Sequence, residues 1–432
     1  PLCLSLHSEK TYFFNNIFTS ILTYYYWLMI PREKYIHKIR PHMHRPVIKV
    51  LTGIRRSGKS ALLTLIADEL KQQGIKDDHI IHINFEESRF FSLTNALLLD
   101  EYLRGKMTES GMYFLLLDEI QEVENWEKTI NSLLASGAAD VYLTGSNSRL
   151  LSSELSTYLA GRCVEIPTHT LTFSESRIFA EHLGAARTDR KPAFISYLKT
   201  GGFPLLHAVP YDEEAGRMVV NGIYDSVILR DVIQRYSLRN AELFERLVLF
   251  LFENVGSIFS AKSVSDFLKS QNRQLSVNTV YEYLRMLEEA FVIRRVARYD
   301  MAGKRVLKTL EKYYVSDISL ISAVLGFRDT KISGMLENIV YLELISRDYA
   351  VYIGKSGEKE IDFIAEKNGE RIYIQVSRAI LSDETRDREF SPLLAVRDHY
   401  PKYVVTMDEF AGGTIDGVRH VHIADFLLMD AW

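Results

Sequence analysis

The stretch G-I-R-R-S-G-K-S at residues 53–60 decides the fold of the first part of the chain. A mostly apolar run at 46–51 precedes it and a helical pattern at 61–70 follows it, so it joins a predicted strand to a predicted helix. Gly53 and Gly58 allow a tight turn whose N–H groups face phosphate oxygens, and the helix adds the positive end of its dipole. We therefore predict a phosphate-binding loop, with Lys59 on the β- and γ-phosphates and Ser60 on Mg²⁺.

A second motif ends another apolar run in two acidic residues. The run at 112–117 is typical of a central parallel strand, and Asp118 and Glu119 follow it. Asp118 is predicted to hold Mg²⁺. Glu119 is predicted to polarise the attacking water, which favours hydrolysis over transfer to a second substrate. A third strand ends in small polar residues at 145–148, where Ser146 or Asn147 is placed to sense the γ-phosphate, although a plain turn fits this segment almost as well.

These motifs define a candidate site for ATP and Mg²⁺. Arg162, which precedes an apolar segment at 163–166, is a candidate for an arginine that acts on the γ-phosphate of its own or a neighbouring subunit. A surface arginine beside a strand fits it equally well, and a homo-oligomer is compatible with the first interpretation. The predicted catalytic residues are Glu119, Lys59 and Arg162. The predicted metal ligands are Ser60 and Asp118. The predicted nucleotide-binding residues are Gly53, Arg55, Arg56, Ser57, Gly58, Lys59, Ser60, Ala61 and Asn147.

Composition describes an ordinary globular protein with large cores. The chain has 432 residues, of which 47% are hydrophobic and 25% charged, which predicts several domains. A net charge of −4 excludes a global attraction to nucleic acid, so a site of that kind must be a local patch. Cys3 and Cys163 are too few for a disulfide framework or a cysteine metal site, which suits a reducing cytoplasm. We expect a cytoplasmic protein without a membrane partner.

Residues 1–28 are interpreted as a non-native or unstructured extension. The segment 12–30 is apolar and aromatic but is interrupted by polar residues, and neither a basic start nor a cleavage site of a signal peptide is clear. The sequence M-I-P-R-E at 29–33 resembles a natural start. A packed helix and a membrane anchor remain alternatives for the same segment.

The alternation of strands and helices predicts the domain organisation. Between residues 46 and 170 it is typical of a parallel α/β sheet, so 29–170 is predicted to be the nucleotide-binding core. Residues 171–240 are predicted to be a helical lid or linker. Three helices and a hairpin at 241–315 predict a winged helix. From Lys262 to Lys312 there are eleven basic and six acidic residues, a local net charge of +5, which suits a module that reads double-stranded DNA. A winged helix that packs against protein is the alternative.

The last predicted domain, 316–432, is a second α/β unit. A predicted helix carries Glu337, and two following strands are predicted to pair as a hairpin. The first strand carries Glu360 and Asp362, and the second carries Gln375 and Ser377. Because side chains alternate along a strand, Glu360 and Asp362 share a face. Asp362, facing Gln375 near the helix of Glu337, resembles a metal-dependent nuclease site whose key residues have been replaced.

The order of these pieces resembles the archaeal and bacterial P-loop ATPases with an AAA-like amino-terminal domain and a DUF4143 carboxyl-terminal domain. The resemblance covers residues 29–432. It is carried by LTGIRRSGKSALL at 51–63, YFLLLDEIQ at 113–121, LTGSNSRLL at 143–151, SVNTVYEYLRMLEEAFVIRRVARYD at 276–300 and ENIVYLELISRDYAVYIGKSGEKEIDFIA at 337–365.

The resemblance implies nucleotide binding at Gly58, Lys59 and Ser60, and a carboxyl-terminal domain with the PD-(D/E)XK nuclease fold. The Glu-x-Lys end of that nuclease motif is Gln375-Val376-Ser377 here. A metal-binding carboxylate and the catalytic lysine are therefore missing, and we expect no cleavage of nucleic acid.

Two classes of function stay open. In the first, the protein is an ATPase whose winged-helix and nuclease-like modules engage DNA. In the second, it is a nucleotide-gated interaction or assembly module without DNA binding. An active nuclease that uses Gln375 in a distorted site is a weaker third reading.

Overall fold

The computed structural model describes residues 30–148, 161–184, 189–208, 212–238, 240–270, 275–357, 359–409 and 411–432. The extension interpreted at 1–28 lies outside the described residues. The chain divides into two compact units. The first runs to Thr168 and includes Phe179–Ala185 and Pro204–Pro210; the second comprises His169–Ile178, Ala186–Phe203 and Tyr211–Trp432.

A five-stranded parallel sheet forms the centre of the first unit, as the alternating pattern predicted. The strand order is β2-β3-β4-β1-β5. The strands are β1 (Ile48–Thr52), β2 (Ile80–Asn84), β3 (Tyr113–Asp118), β4 (Ala139–Gly145) and β5 (Cys163–Pro167). The first helices of the chain are α1 (Glu33–Ile39), α2 (Lys59–Gln72), α3 (Ala96–Lys106) and α4 (Trp126–Ala135).

Side chains that alternate along these strands supply a hydrophobic core on each face of the sheet. Leu115 and Leu117 of β3 pack into one core, which contains residues of α3 and α4. Phe114 and Leu116 of the same strand pack into the other, with residues of α1 and α2. Because both faces are covered, the strands are mostly apolar, with the buried ion pair Lys49–Asp140 as an exception, and their carboxyl ends carry polar side chains.

The region predicted as helical, 171–240, is divided between the two units. Its described residues form α5 (Phe173–His182), α6 (Arg190–Thr200), α7 (Pro204–Ala208) and α8 (Glu213–Asp225), and α8 continues as a π-helix over Ser226–Gln234. In the part of the chain that the structure describes, no helix is both long and apolar enough to span a bilayer.

The rest of the second unit contains the three helices and the hairpin that the sequence predicted for 241–315. The helices are α9 (Ala241–Glu253), α10 (Ala261–Ser270), α11 (Val277–Glu289), α12 (Ser319–Leu325), α13 (Ile332–Ser346), α14 (Asp383–Leu394) and α15 (Ile423–Phe426). The strands are β6 (Ile293–Asp300), β7 (Arg305–Val315), β8 (Ala350–Ser356), β9 (Lys359–Lys367), β10 (Glu370–Val376), β11 (Lys402–Thr406), β12 (Thr414–Ile415) and β13 (Val418–His422).

The hairpin β6–β7 belongs to a sheet that extends across the predicted boundary between residues 315 and 316. Strand β6 pairs in parallel with β8, so the hairpin belongs to one eight-stranded sheet of order β12-β13-β11-β10-β9-β8-β6-β7. The local pattern of three helices and two strands was correct. A local pattern cannot show that β8, which comes later in the chain, pairs with β6 of the hairpin.

The excess of basic residues between Lys262 and Lys312 is also less exposed than the sequence suggested. Arg298 and Lys312 are buried. Arg285 and Arg295 lie 3.8 and 3.5 Å from carboxylate oxygens of Glu289 and Glu288. Arg298 and Lys312 therefore add little to an exposed basic surface, and Arg285 and Arg295 lie beside two acidic residues that are already included in the local charge of +5.

Candidate nucleotide-binding site

The loop between β1 and α2 takes a conformation that needs glycine at both ends. Gly53 has φ +150°, and a Cβ atom there would lie 2.1 Å from the backbone oxygen of Thr168. Gly58 has φ +97° and immediately precedes Lys59, the first residue of α2. Since L side chains rarely adopt these φ values, the two glycines fix the path of the loop around the start of the helix, where the dipole favours an anion.

Lys59 lies inside this loop with its side chain almost fully buried. Its Nζ donates hydrogen bonds to the backbone oxygens of Gly53 and Ile54, at 3.0 and 3.2 Å. The same Nζ is 3.8 Å from Oε1 of Glu119. The ammonium group is therefore held between the loop and the end of β3, where it can exchange carbonyl oxygens for phosphate oxygens.

The strand order brings the loop and the acidic pair together. Strand β4 lies between β1 and β3, and its residue Thr144 donates a hydrogen bond to Asp118 and accepts one from the backbone N–H of Glu119 at 2.9 Å. The hydroxyl of Ser60, from the first turn of α2, is close enough to lower the pKa of Asp118. The two residues predicted as Mg²⁺ ligands are thus neighbours.

The environment of Asp118 raises its pKa to about 6. Burial is the main cause, and the charge of Glu119 adds to it. The hydroxyls of Ser60 and Thr144 and the charge of Lys59 act in the opposite direction. A nearby cation stabilises the ionised form of a buried carboxylate of this kind. The raised pKa of Asp118 therefore fits a carboxylate that binds a cation.

Glu119 has the opposite electrostatic balance. Burial alone would raise the pKa of its carboxyl, but the charges of Lys59 and Arg55 and hydrogen bonds from Gln121 and Ser146 outweigh burial and lower it. The residue also has a left-handed backbone, with φ +56°. Glu119 is therefore ionised at neutral pH and held in a fixed direction, as a base that orients water requires.

The remaining predicted nucleotide-binding residues surround these groups. Arg55 is buried, and both of its terminal nitrogens donate to Oε1 of Glu86 at 2.9 Å. Arg56 is exposed, with φ +68°. Ser57 has a buried hydroxyl oxygen without a hydrogen-bond partner in the described part of the chain. Ala61 lies in the first turn of α2, and Asn147 is buried just after β4.

These features fit a magnesium-bound nucleotide. The orphaned hydroxyl of Ser57 and the ammonium of Lys59 supply donors for phosphate. The hydroxyl of Ser60 and the carboxylate of Asp118 supply the hard oxygen ligands that Mg²⁺ prefers.

Arg162 lies elsewhere. It immediately precedes β5, and its backbone oxygen accepts a hydrogen bond from the N–H of Ile48 at 2.7 Å. Ile48 is the first residue of β1, whereas the loop follows the last residue of this strand. Arg162 therefore lies at the amino-terminal ends of the parallel strands, and the loop lies at their carboxyl ends. Its side chain is exposed. The structure thus does not bring Arg162 to the site of its own chain, and a role at a neighbouring subunit stays a prediction.

Two residues at the site were missed by sequence reasoning. Thr144 is one. The other is Arg32, which is 4% exposed and donates to the backbone oxygen of Ser57 at 2.9 Å. The guanidinium of Arg32 also lies over the ring of Tyr35, at 4.4 Å. Thr144 lies within the quoted segment LTGSNSRLL but was given no role, and the strand order is the signal that would have identified it.

The family comparisons agree with this geometry. Residues 45–177 match the model described as "AAA domain". The first unit therefore contains a P-loop ATPase domain of the AAA type. Residues 191–331 match a second model, "Domain of unknown function (DUF8612)". DUF8612, and not the DUF4143 domain implied by the resemblance, is the domain matched in this part of the chain.

Two curated relatives share most of the chain. An "Uncharacterized protein" from Haemophilus influenzae is 37% identical over 402 residues, which are 93% of this chain and 99% of that protein. "Uncharacterized protein MJ1544" from Methanocaldococcus jannaschii is 32% identical over 329 residues, which are 73% of this chain and 71% of that protein. The chain belongs to the family of these two proteins.

Among solved structures, the chain is similar to the Walker-type ATPase paby2304 of Pyrococcus abyssi, with a TM-score of 0.47 and 14% identity over 68% of this chain and 95% of that one. It is also similar to the Aeropyrum pernix ORC1 protein in complex with DNA, with a TM-score of 0.33 and 13% identity over 69% of this chain and 95% of that one.

Proposed function

We propose that the protein binds ATP in the loop at 53–60 and hydrolyses it with Mg²⁺. The observation that carries this proposal is the position of the Lys59 ammonium group, because it is hydrogen-bonded to the carbonyls of the loop and lies 3.8 Å from Oε1 of Glu119, which joins the phosphate-binding loop to the end of β3. The ionised Glu119 beside Lys59 supports hydrolysis rather than binding alone.

Each residue has a separate role in this proposal. Lys59 releases the loop carbonyls and binds the β- and γ-phosphates. Ser60 and Asp118 hold Mg²⁺, which neutralises charge on the phosphate oxygens when it is bound. Glu119 accepts a proton from the attacking water or orients that water towards the γ-phosphate. Arg162 lies away from this site in its own chain, so we propose that it acts on the γ-phosphate at a neighbouring subunit.

ATP turnover by the purified full chain tests the proposal. We expect phosphate release that needs Mg²⁺ and stops in EDTA. Lys59→Ala should lose ATP binding, since the charge that meets the phosphates is removed. Glu119→Gln should keep ATP binding and lose about 10²–10⁴ in turnover, because only the base is removed.

A glutamate five positions further on provides the matched control. Glu124 is exposed and lies outside the cluster of Lys59 and Asp118, so Glu124→Gln should leave turnover unchanged. If Glu119→Gln hydrolyses ATP at the wild-type rate, Glu119 is not the base and the assignment fails. If the wild type shows no turnover, hydrolysis itself is wrong.

DNA binding by the second unit is a further candidate function. Support comes from α11, which exposes Asn278, Tyr281 and Arg285 at helical spacing, together with the exposed Lys304 between β6 and β7. A helix of this kind fits a DNA groove, while the hairpin tip contacts phosphate. Duplex binding by the full chain at several salt concentrations tests this proposal, because phosphate contacts give a steep salt dependence. Absence of salt-dependent binding would favour the nucleotide-gated assembly module.

A further inference from the structure

A buried lysine lies at the centre of the carboxylates that the sequence assigned to a decayed nuclease site. Lys312 of β7 is 3% exposed, and its Nζ is 2.8 Å from Oε1 of Glu337 and 2.8 Å from Oε1 of Glu360. Oδ1 of Asp362 is 3.4 Å away. Glu337 comes from α13, and the other two carboxylates come from β9. An ammonium group has three N–H donors, so each donor has one carboxylate within reach.

The other hydrogen-bonding positions of this cluster are also used within the second unit. The hydroxyl of Tyr314 donates to Glu337, and the backbone N–H of Val376 donates to Oδ2 of Asp362 at 2.9 Å. Gln375 accepts from the backbone N–H of Asp362 at 3.2 Å. Gln375 thus anchors a strand and provides no charge to the cluster.

Burial and the mutual repulsion of its carboxylates favour a proton or a cation in the cluster. Burial, and then the charge of Asp362, raise the pKa of Glu337 to about 8. Burial also raises the pKa of Asp362. Buried carboxylates that are close together need either a proton or a compensating positive charge. Lys312 provides that charge from a strand far away in sequence from the position where a nuclease motif would carry its lysine.

We propose that the ammonium group of Lys312 is the resident cation of the cluster formed by Glu337, Glu360 and Asp362, in the place where a metal-dependent nuclease would hold a divalent ion. The cluster therefore takes no divalent cation in the native protein. Carboxylate oxygens are ligands that Mg²⁺ and Mn²⁺ prefer. To bind there, an ion would have to displace the side chain of Lys312. The displaced ammonium group would remain buried without its carboxylate partners, which costs free energy.

This arrangement also accounts for the two replaced residues. With the cation supplied from β7, a fourth carboxylate at position 375, beside the backbone N–H of Asp362, would add negative charge to the cluster. The neutral side chains of Gln375 and Ser377 are compatible with a cluster that is already filled.

Removing the lysine should create a metal site. Methionine has a similar length and no charge, so Lys312→Met leaves the carboxylates without their cation. We expect the nucleotide-free full chain of this variant to bind one more Mn²⁺ per molecule than the wild type, as measured by the loss of the electron paramagnetic resonance signal of free Mn²⁺. The additional site should disappear in Lys312→Met/Asp362→Asn.

Lys402 provides the matched control. It is also buried, and its Nζ lies 3.2 Å from one carboxylate oxygen, Oδ1 of Asp398. Lys402→Met should therefore gain no Mn²⁺ site. Any Mn²⁺ bound at Ser60 and Asp118 is common to all four proteins and cancels in the comparison.

Two results would overturn the proposal. One is a Mn²⁺ site in the wild type that disappears in Asp362→Asn. The other is a folded Lys312→Met protein that binds no more Mn²⁺ than the wild type. For a variant that is unfolded in EDTA, circular dichroism is followed while Mn²⁺ is added. Recovery of the folded signal supports the proposal, and failure to recover at millimolar Mn²⁺ contradicts it.

Discussion

At the scale of single residues, Thr144 connects the two acidic groups of the nucleotide site. Its hydroxyl donates to Asp118 and accepts from the N–H of Glu119. We expect Thr144→Val to raise the Mg²⁺ concentration that half-saturates ATP turnover by roughly tenfold. A hydrogen bond to a charged group contributes about 1.5 kcal/mol or more, and about 1.4 kcal/mol corresponds to a factor of ten. A Mg²⁺ titration of the turnover rate measures this change.

Thr129 is the control for that substitution. It is buried in the same unit and donates to the backbone oxygen of Ala96 at 2.6 Å, outside the site. Thr129→Val removes the same hydroxyl and should leave the Mg²⁺ dependence unchanged. Equal Mg²⁺ dependence for Thr144→Val and the wild type would mean that the hydroxyl does not help to hold Asp118 for the metal.

Glu337 predicts a pH dependence of stability in the second unit. Its pKa is about 8 in the folded protein, mainly because of burial, against an ordinary value of 4.5. The protonated form is favoured by folding, so its stabilising effect is present below pH 4.5 and is lost as the pH rises through 8. Glu337→Gln cannot lose a proton. Relative to the wild type, its free energy of unfolding should rise with pH between these values, by at most roughly 1.4 kcal/mol per pH unit.

Urea unfolding of the wild type and of Glu337→Gln at pH 5, 6, 7 and 8 measures the difference between their free energies of unfolding. The contributions of the other titrating groups are common to both proteins and cancel in this difference. A constant difference across this range would show that Glu337 is ionised in the folded protein throughout.

The residues to which sequence reasoning gave a role at the nucleotide site lie mainly in short continuous motifs. Gly53 to Ser60 are consecutive, and Asp118 and Glu119 directly end a strand. Arg32, Thr144 and Lys312 were missed because their roles arise only when separate elements meet. Lys312 in particular was counted as part of a DNA-binding patch, since its carboxylate partners lie 25 to 50 positions away.

At the scale of elements, the tip of the hairpin β6–β7 is the place where DNA contact can be tested directly. Lys304 is exposed, whereas Arg305 is exposed but lies 4.0 Å from Oδ2 of Asp300. We expect Lys304→Ala/Arg305→Ala to weaken duplex binding and to reduce the slope of log affinity against log salt by about one, since one of the two cations is already paired. Fluorescence anisotropy with labelled duplex at several salt concentrations measures this slope.

The control pair is Arg386 and Arg388, which are exposed on α14 of the same unit. Replacing both by alanine should leave the slope unchanged. An unchanged slope for the hairpin variant, or an equal reduction for the control, would remove the hairpin from the DNA contact.

The elements themselves were largely predictable. The predicted strands that precede the loop, Asp118 and the polar segment at 145–148 correspond to β1, β3 and β4, and the helical pattern at 61–70 lies in α2. Hydrophobic periodicity identifies such elements because each has a buried face. It does not tell which strands pair. The parallel pairing of β6 with β8 joins residues more than 50 positions apart, and no local pattern encodes it.

At the scale of the whole molecule, the two units differ in how their charged groups are used. In the first unit, Asp118 and Glu119 lie at the carboxyl end of β3. The exposed Ser60 and the loop that contains Gly53 and Gly58 lie next to them. The second unit surrounds its carboxylates with donors from its own chain. The first arrangement fits the proposed nucleotide and Mg²⁺, whereas the second has the ammonium group of Lys312 among its carboxylates.

This difference predicts that the full chain does not cut nucleic acid. Lys312 fills the cation position, Gln375 is neutral and engaged with the backbone of Asp362, and Ser377 carries no charge that could activate water. Supercoiled plasmid incubated with the purified protein and Mg²⁺ or Mn²⁺, with and without ATP, should therefore remain supercoiled. Nicking that disappears in Asp362→Ala would contradict this prediction, because a contaminating nuclease would not respond to a substitution in this protein.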